Sequence, residues 1–296
     1  MTDTSGMYEI RGLDVDKLAK GFSDEETIMK KFVTVSPTKN REGRWYQKTA
    51  GFLKGVATTG IPNTNNVSAL GTSVPERARP SVIEPSFTRN LWHIDKFFFE
   101  SPTISIEDIQ DSDPDVIGTI IRDTVKAVEY QIDLAIYFGI SDNANIQTVA
   151  ATADGWDDSA TGNPILDLLV AKQMIRAYGY NPEGAIACMN SIEHKNLINF
   201  LISVKGSSIP NFSSEKVRDG VVMEVVGLQV AVTEAALTDE CLVFVPQRTA
   251  TWKEFMPMST ALVTDEGIGK KFRCWSEGDL IVTDPKAAVI ITDTVV

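Results

Sequence analysis

From Gly51 to Pro85 the chain follows neither a helical nor a strand period. The stretch holds Gly51, Gly55, Gly60, Pro62, Asn63, Asn65, Asn66, Gly71, Pro75, Pro80 and Pro85, residues that punctuate regular structure rather than propagate it. Loops longer than about 15 residues are uncommon inside a compact domain and mark either disorder or a functional extension. A disordered linker should join two self-sufficient halves, and the segment before Gly51 is too poor in apolar residues to build a core of its own. The stretch is therefore either floppy or ordered by something outside its own chain.

Charge narrows the choice. Forty acids stand against 28 bases in 296 residues, a formal net charge of -12, which argues against a protein that grips nucleic acid phosphates. The excess is uneven. Between Arg41 and Lys96 eight bases (Arg41, Arg44, Lys48, Lys54, Arg77, Arg79, Arg89, Lys96) meet four acids (Glu42, Glu76, Glu84, Asp95), so this segment carries +4. The length suits two modules or one large one at about 150 residues per domain. A hydrophobic fraction of 43% with 23% charged residues is globular in kind. Apolar runs such as Ala287 to Ile291 fall far short of the roughly 20 residues that a membrane helix needs. The opening Met-Thr-Asp-Thr-Ser-Gly carries no secretory signal, so a cytoplasmic site of synthesis and no membrane partner are expected. Cys188, Cys241 and Cys274 are odd in number and widely spaced, which fits reduced, buried thiols.

The clearest helix follows an aromatic strand region, Phe87 to Phe99, and an alternating Thr103-Ile-Ser-Ile-Glu segment. Asp113 can cap it, Pro114 suits its first turn and Gly139 can close it. Ile117, Ile120, Ile121, Thr124, Val125, Val128, Ile132, Ala135 and Ile136 keep i, i+3, i+4 spacing. Arg122, Asp123, Lys126, Glu129 and Asp133 take the other side. Pro114 to Phe138 predicts a rod about 37 Å long. Two short helices are expected near the start, the second over Asp24 to Val33. Beyond a polar patch, Asn163 and Pro164 open a helix with an apolar face of Ile165, Leu168, Leu169, Ile175 and Tyr178, ended by Gly179. Ala185 to Met189 reads as a buried strand, and Ser191 as the cap of a helix bearing Ile192, Leu197, Ile198 and Leu201. Val221 to Val232, Leu242 to Val245 and Phe272 to Thr294 read as strands. Helices and strands are segregated, so the fold class is α+β.

Motifs for chemistry are sparse. The sequence has no G-x-S-x-G, Walker A, G-x-G-x-x-G or H-E-x-x-H pattern. Gly267-Ile-Gly269 lacks a third glycine and reads as a turn. Ser213 to Lys216 matches S-x-x-K only at the end of a polar loop, and His194 reads as a solvated or capping residue. Two histidines, His93 and His194, cannot make a three-histidine metal site. No catalytic residue, metal or cofactor is implied.

The order of parts carries a resemblance. A polar arm and a long Gly/Pro-rich loop precede a strand ending in Phe-Phe-Glu-Ser-Pro-Thr-Ile-Ser-Ile-Glu-Asp-Ile. A long helix ending in Ile-Tyr-Phe-Gly follows, then Ala-Ile-Ala-Cys-Met-Asn, Val-Val-Gly-Leu-Gln-Val-Ala-Val-Thr and a terminal Asp-Pro-Lys-Ala-Ala-Val-Ile-Ile-Thr. This layout resembles the major capsid protein of tailed double-stranded DNA viruses, the phage Hong Kong ninety-seven type fold. The resemblance implies an N-arm (1–45), an extended E-loop hairpin (46–90), a peripheral domain with a long spine helix (91–145), an axial domain (146–264) and peripheral return strands (265–296). It implies hexamers and pentamers in an icosahedral virion shell, assembled in the host cytoplasm around DNA that is confined rather than bound. Portal, separate scaffold and decoration proteins are the further partners implied.

The unsupported loop would then lie across a neighbouring copy. Trp45, Lys54, Arg77, Arg79 and Arg89 are the expected contacts on the loop side, and Glu129 and Asp133 on the spine helix side. Residues 265–296 contain no asparagine, so the Lys–Asn crosslink of some members is not expected. An encapsulin-type nanocompartment shell and a cytoplasmic enzyme with an unrecognised site are the alternatives.

Overall fold

Helix α1 spans Val116–Ser141 in the computed structural model, which describes residues 19–20, 27–49, 87–105, 107, 116–152, 155–158, 161–203, 224–265 and 267–295. Its 26 residues make a rod about 39 Å long. The apolar stripe read from the sequence is the buried one: Ile121, Val125, Val128, Ile132 and Ile136 are all but inaccessible, with Tyr137 and Ile140 beside them. Asp113 and Pro114 lie outside the described residues. Gly139 does not close the helix, which continues two residues further. A Cβ there would come within 2.7 Å of Leu280 Cδ2, so this glycine serves a close approach between helix and sheet.

That sheet contains β1 (Thr34–Pro37), β4 (Asp95–Glu100), β5 (Ile104–Ser105), β11 (Ala250–Asp265) and β12 (Gly269–Val282). Its order is β1-β11-β12-β4, with β5 also paired to β12. The antiparallel β11–β12 hairpin is its axis, and β1 joins β11 in parallel, with Thr34 opposite Thr251. Met29 and Val33, just before β1, sit in the same hydrophobic cluster as the α1 stripe, Trp252 and Phe272. The opening segment thus contributes to the main core. Of the helix expected over Asp24 to Val33, the described part forms one 3-10 turn, Met29–Lys31.

A second sheet contains β6 (Gln147–Ala150), β7 (Ile186–Met189), β8 (Glu224–Val225), β9 (Leu228–Val232), β10 (Glu240–Phe244) and β13 (Ala288–Thr292). Its order is β6-β13-β10-β7-β9-β8. Helices α2 (Pro164–Ala177) and α3 (Ser191–Ser203) accompany it. Asn163 caps α2 as expected, its side chain accepting from the Leu166 N–H, and Gly179 follows at φ +84°. Leu168 and Ile175 are buried, whereas Leu169 faces solvent. In α3 the cap is Asn190 rather than Ser191: its Oδ1 accepts from the Ile192 N–H at 3.2 Å, and Ile192 is exposed while Leu197, Phe200 and Leu201 are buried. The predicted strand over Val221 to Val232 is broken at Val226 and Gly227, both at positive φ, into β8 and β9.

The fold is therefore α+β. Two strands fall elsewhere than the sequence-based boundaries put them. Ala250–Asp265 belongs to the β1-β11-β12-β4 sheet, and Ala288–Thr292 to the sheet that holds β7 and β10.

Candidate assembly surface

A two-stranded antiparallel sheet, β2 (Glu42–Lys48) with β3 (Phe87–His93), brackets the Gly/Pro-rich stretch. Alternation gives it two unlike faces. The inner face carries Gly43, Trp45, Gln47, Asn90 and Trp92. Trp92 clusters with Ile94 and Ile281, and half-buried Trp45 and Phe255 pack against them. Gly43 makes room for the indole, since a Cβ there would lie 2.7 Å from the Trp92 ring.

Polar bonds fasten the same root. Buried Gln47 donates from Nε2 to Asn143 Oδ1 at 3.0 Å, and its Oε1 accepts from Asn145 Nδ2 and Asn90 Nδ2. Asn143 and Asn145 follow α1 directly, so this amide cluster ties the hairpin root to the end of the long helix. The Lys48 N–H donates to the Thr283 carbonyl at 2.9 Å, and Arg41 pairs with Glu277 at 3.2 Å. An isolated two-stranded hairpin is marginal in water; here the body supports one face of it.

Among the described residues the other face is largely uncovered, apart from half-buried Lys48 at its end. Arg44 stands opposite Leu91, Tyr46 opposite Arg89 and Lys48 opposite Phe87. Leu91 is 78% exposed, Tyr46 63% and Phe87 55%. Apolar residues and cations thus alternate over one face of a ribbon in an acidic chain, a pattern suited to a partner rather than to water. Further exposed apolar residues, Phe98 and Phe99 in β4 and Leu262 and Ile268 at the outer part of the β11–β12 hairpin, lie on the neighbouring sheet.

Among the expected contact residues, Arg89 lies on this exposed face and Trp45 on the opposite, packed one. Lys54, Arg77 and Arg79 lie outside the described residues. The reading of Glu129 and Asp133 as exposed helix residues is corrected. Both are buried, 1% and 3% exposed, beneath the segment Thr27–Met29 of the same chain. Thr27 Oγ1 donates to Glu129 Oε2 at 2.7 Å, and the Ile28 and Met29 N–H groups donate to the two oxygens of Asp133 at 3.2 and 3.0 Å. Burial pushes the Asp133 carboxyl up to about 6 despite these bonds, with nearby Glu129 adding to the rise. These acids hold the chain's own N-terminal segment and are not open to a neighbour's bases.

Chemistry of the other candidates stays subdued. His194 is half-buried and its imidazole is pushed down by burial, which differs from the solvated reading. Burial pushes the Cys188 and Cys241 thiols up, so neither is a ready nucleophile. Among the described residues no cluster of three or more His, Cys, Asp or Glu is arranged to hold a metal ion, and no helix is long and apolar enough to cross a membrane.

No protein-family model and no curated protein matches the sequence. Solved structures do resemble the fold. A virus-like particle from Pyrococcus furiosus matches with a TM-score of 0.62 at 11% identity, over 95% of this chain and 99% of that one. The capsid of cyanophage P-SCSP1u matches at 0.61 and 13% identity, over 90% and 88%. The capsid of a native GTA particle matches at 0.61 and 12% identity, over 90% of each chain. Likenesses that cover nine-tenths or more of this chain show that it has the capsid fold of the phage Hong Kong ninety-seven type.

Proposed function

We propose that this chain is a structural shell protein, a major capsid protein whose copies assemble as hexamers and pentamers into an icosahedral particle around the double-stranded DNA of a tailed virus. The observation that carries the reading is the overlap with capsid structures along almost the whole of both chains. The bare β2–β3 face supports it, because a repeated head-to-tail contact closed by symmetry builds a shell from one surface and its complement. In this reading 1–45 is the arm, 46–90 the extended loop, 91–145 and 265–296 the peripheral domain and 146–264 the axial domain, save that β11 joins the peripheral sheet and β13 the axial one. Lys54, Arg77, Arg79 and Arg89 lie over the adjoining copy while Trp45 anchors the root. Portal, scaffold and decoration proteins would be the partners in a virion assembled in the host cytoplasm. The protein performs no catalysis.

An encapsulin-type nanocompartment shell is the second reading, favoured by the overlap with a virus-like particle. Expression of the full chain followed by size-exclusion chromatography and negative-stain microscopy tests both. Capsomers, tubes or closed shells are expected, and a monomer at all concentrations refutes them. Nuclease-resistant DNA inside purified particles separates the viral reading from a compartment holding protein.

A further inference from the structure

A cleft of about 450 Å³ lies where the hairpin root meets the second sheet. Its walls come from three places in the chain: Lys48 at the end of β2, Tyr178 to Asn181 after α2, and Val245 and Arg248 between β10 and β11. Lys48 Nζ is 5.5 Å from the Tyr180 ring centroid, and the Arg248 guanidinium carbon is 5.8 Å from the same ring. Lys286 Nζ lies 5.4 Å over the ring of Tyr178. Three cations therefore stand on two neighbouring tyrosines, two of them on one ring.

The counter-charge is incomplete. Asp284 is the carboxylate at this place, and both its oxygens are committed. Oδ1 accepts from the Tyr180 hydroxyl at 2.9 Å, and Oδ2 faces Arg248 Nε at 2.8 Å. Among the described residues neither Lys48 nor Lys286 has a carboxylate partner. Tyr180 cannot supply the missing charge, because burial and the neighbouring Asp284 push its phenol up and keep it neutral. Burial pushes the Lys286 ammonium down, as expected of a cation short of a counter-ion. Like charges gathered on one ring repel unless an anion lies between them. Lys48 and Arg248 line the cleft, while Lys286 lies beside it over Tyr178; with Asp284 offsetting Arg248, Lys48 and Lys286 are left to face an anion, and two cations suit a phosphate dianion better than a carboxylate. Aromatic faces on which cations already rest leave the charge, rather than stacking, to select the ligand.

We propose that this cleft is an oxyanion site for a phosphate group, one that joins the root of the hairpin to the second sheet. The site does not depend on the shell reading. Its ligand is a free phosphate or nucleotide, or a phosphodiester of a nucleic acid backbone, and both present the same oxygens.

Isothermal titration of the intact chain with inorganic pyrophosphate at low salt tests it. Saturable binding is expected, with affinity falling about tenfold or more in Lys48→Gln and in Arg248→Gln. The control is Lys172→Gln, in a separate basic cleft on α2 that also contains Arg176 and Glu183; it should bind within about twofold of the parent. Circular dichroism checks that each variant folds, and Lys48→Gln leaves the Asp284 bridge intact if Arg248→Gln does not fold. A short oligothymidylate that displaces pyrophosphate assigns the site to a nucleic acid backbone, and one that does not assigns it to free phosphate. Absent saturation, equal weakening by Lys172→Gln, or succinate binding as tightly as pyrophosphate would each overturn the proposal.

Discussion

Replacing Asp133 by asparagine should remove one pH dependence of stability and leave the rest in place. Folding raises this carboxyl from 3.8 to about 6, chiefly through burial. A group whose pKa is raised in the folded state contributes stability that is complete below its unfolded value. That stability is lost as pH climbs through the folded value. Roughly two units at 1.36 kcal/mol each put the loss at about 3 kcal/mol between pH 3.8 and neutrality. Asparagine never ionises, so it escapes that loss. It offers one oxygen where two N–H groups converge, which costs about 1–3 kcal/mol. The variant should thus be less stable than the parent by about 1–3 kcal/mol at pH 3.5, and level with it or up to about 2 kcal/mol more stable at pH 7.5. Urea unfolding of the dissociated chain, followed by tryptophan fluorescence across this range, reads the difference. His194 shifts in the opposite sense, but it is present in both proteins and cancels. Parent and variant curves that run parallel from pH 3.5 to 7.5 would refute the reasoning.

Gly139→Val should cost about 1–3 kcal/mol, because its Cβ meets Leu280; Leu280→Ala in the same chain should recover part of the loss in thermal unfolding. Tyr46→Asp with Leu91→Asp should leave the melting temperature nearly unchanged, since both side chains are exposed, yet abolish particles in the microscope; normal particles would remove the bare face from the assembly contact. Cys188 and Cys241 are fully buried with raised pKa values, so neither should react with a thiol reagent until denaturant is added, and rapid labelling of the native protein would contradict the packing.

What the sequence showed and what it hid follow from the range of the forces involved. The α1 stripe, the Asn163 cap and the buried strand at Ile186–Met189 depend on neighbours a few residues away, and spacing reveals them. Glu129 and Asp133 sit four apart on the polar side of that stripe and look solvated. The segment from Thr27 to Met29, about 100 residues earlier, covers them. The end of α1 is hidden for a similar reason: Gly139 suits a left-handed stop, but its position opposite Leu280 is decided by the sheet. Strand β11 is hard to read in the sequence because register shifts around Met256 disturb its alternation. Of the contact residues, Arg89 could be placed by its strand period, whereas Trp45 differs from Tyr46 only in which face the body covers.

The parallel pairing of β1 with β11 joins positions 217 residues apart, as in the Lys253 to Ser36 bond. Strand β6, at mid-chain, likewise pairs in parallel with β13, Gln147 opposite Val289. During synthesis β1 and β6 both emerge well before their mates exist, and such distant closures are slow. Met29 and Val33 therefore wait for a core that Trp252, Phe272 and Val282 complete. A chain that stops before Ala288 would lack an inner strand of its second sheet, so neither β6 nor β10 could find its partner there.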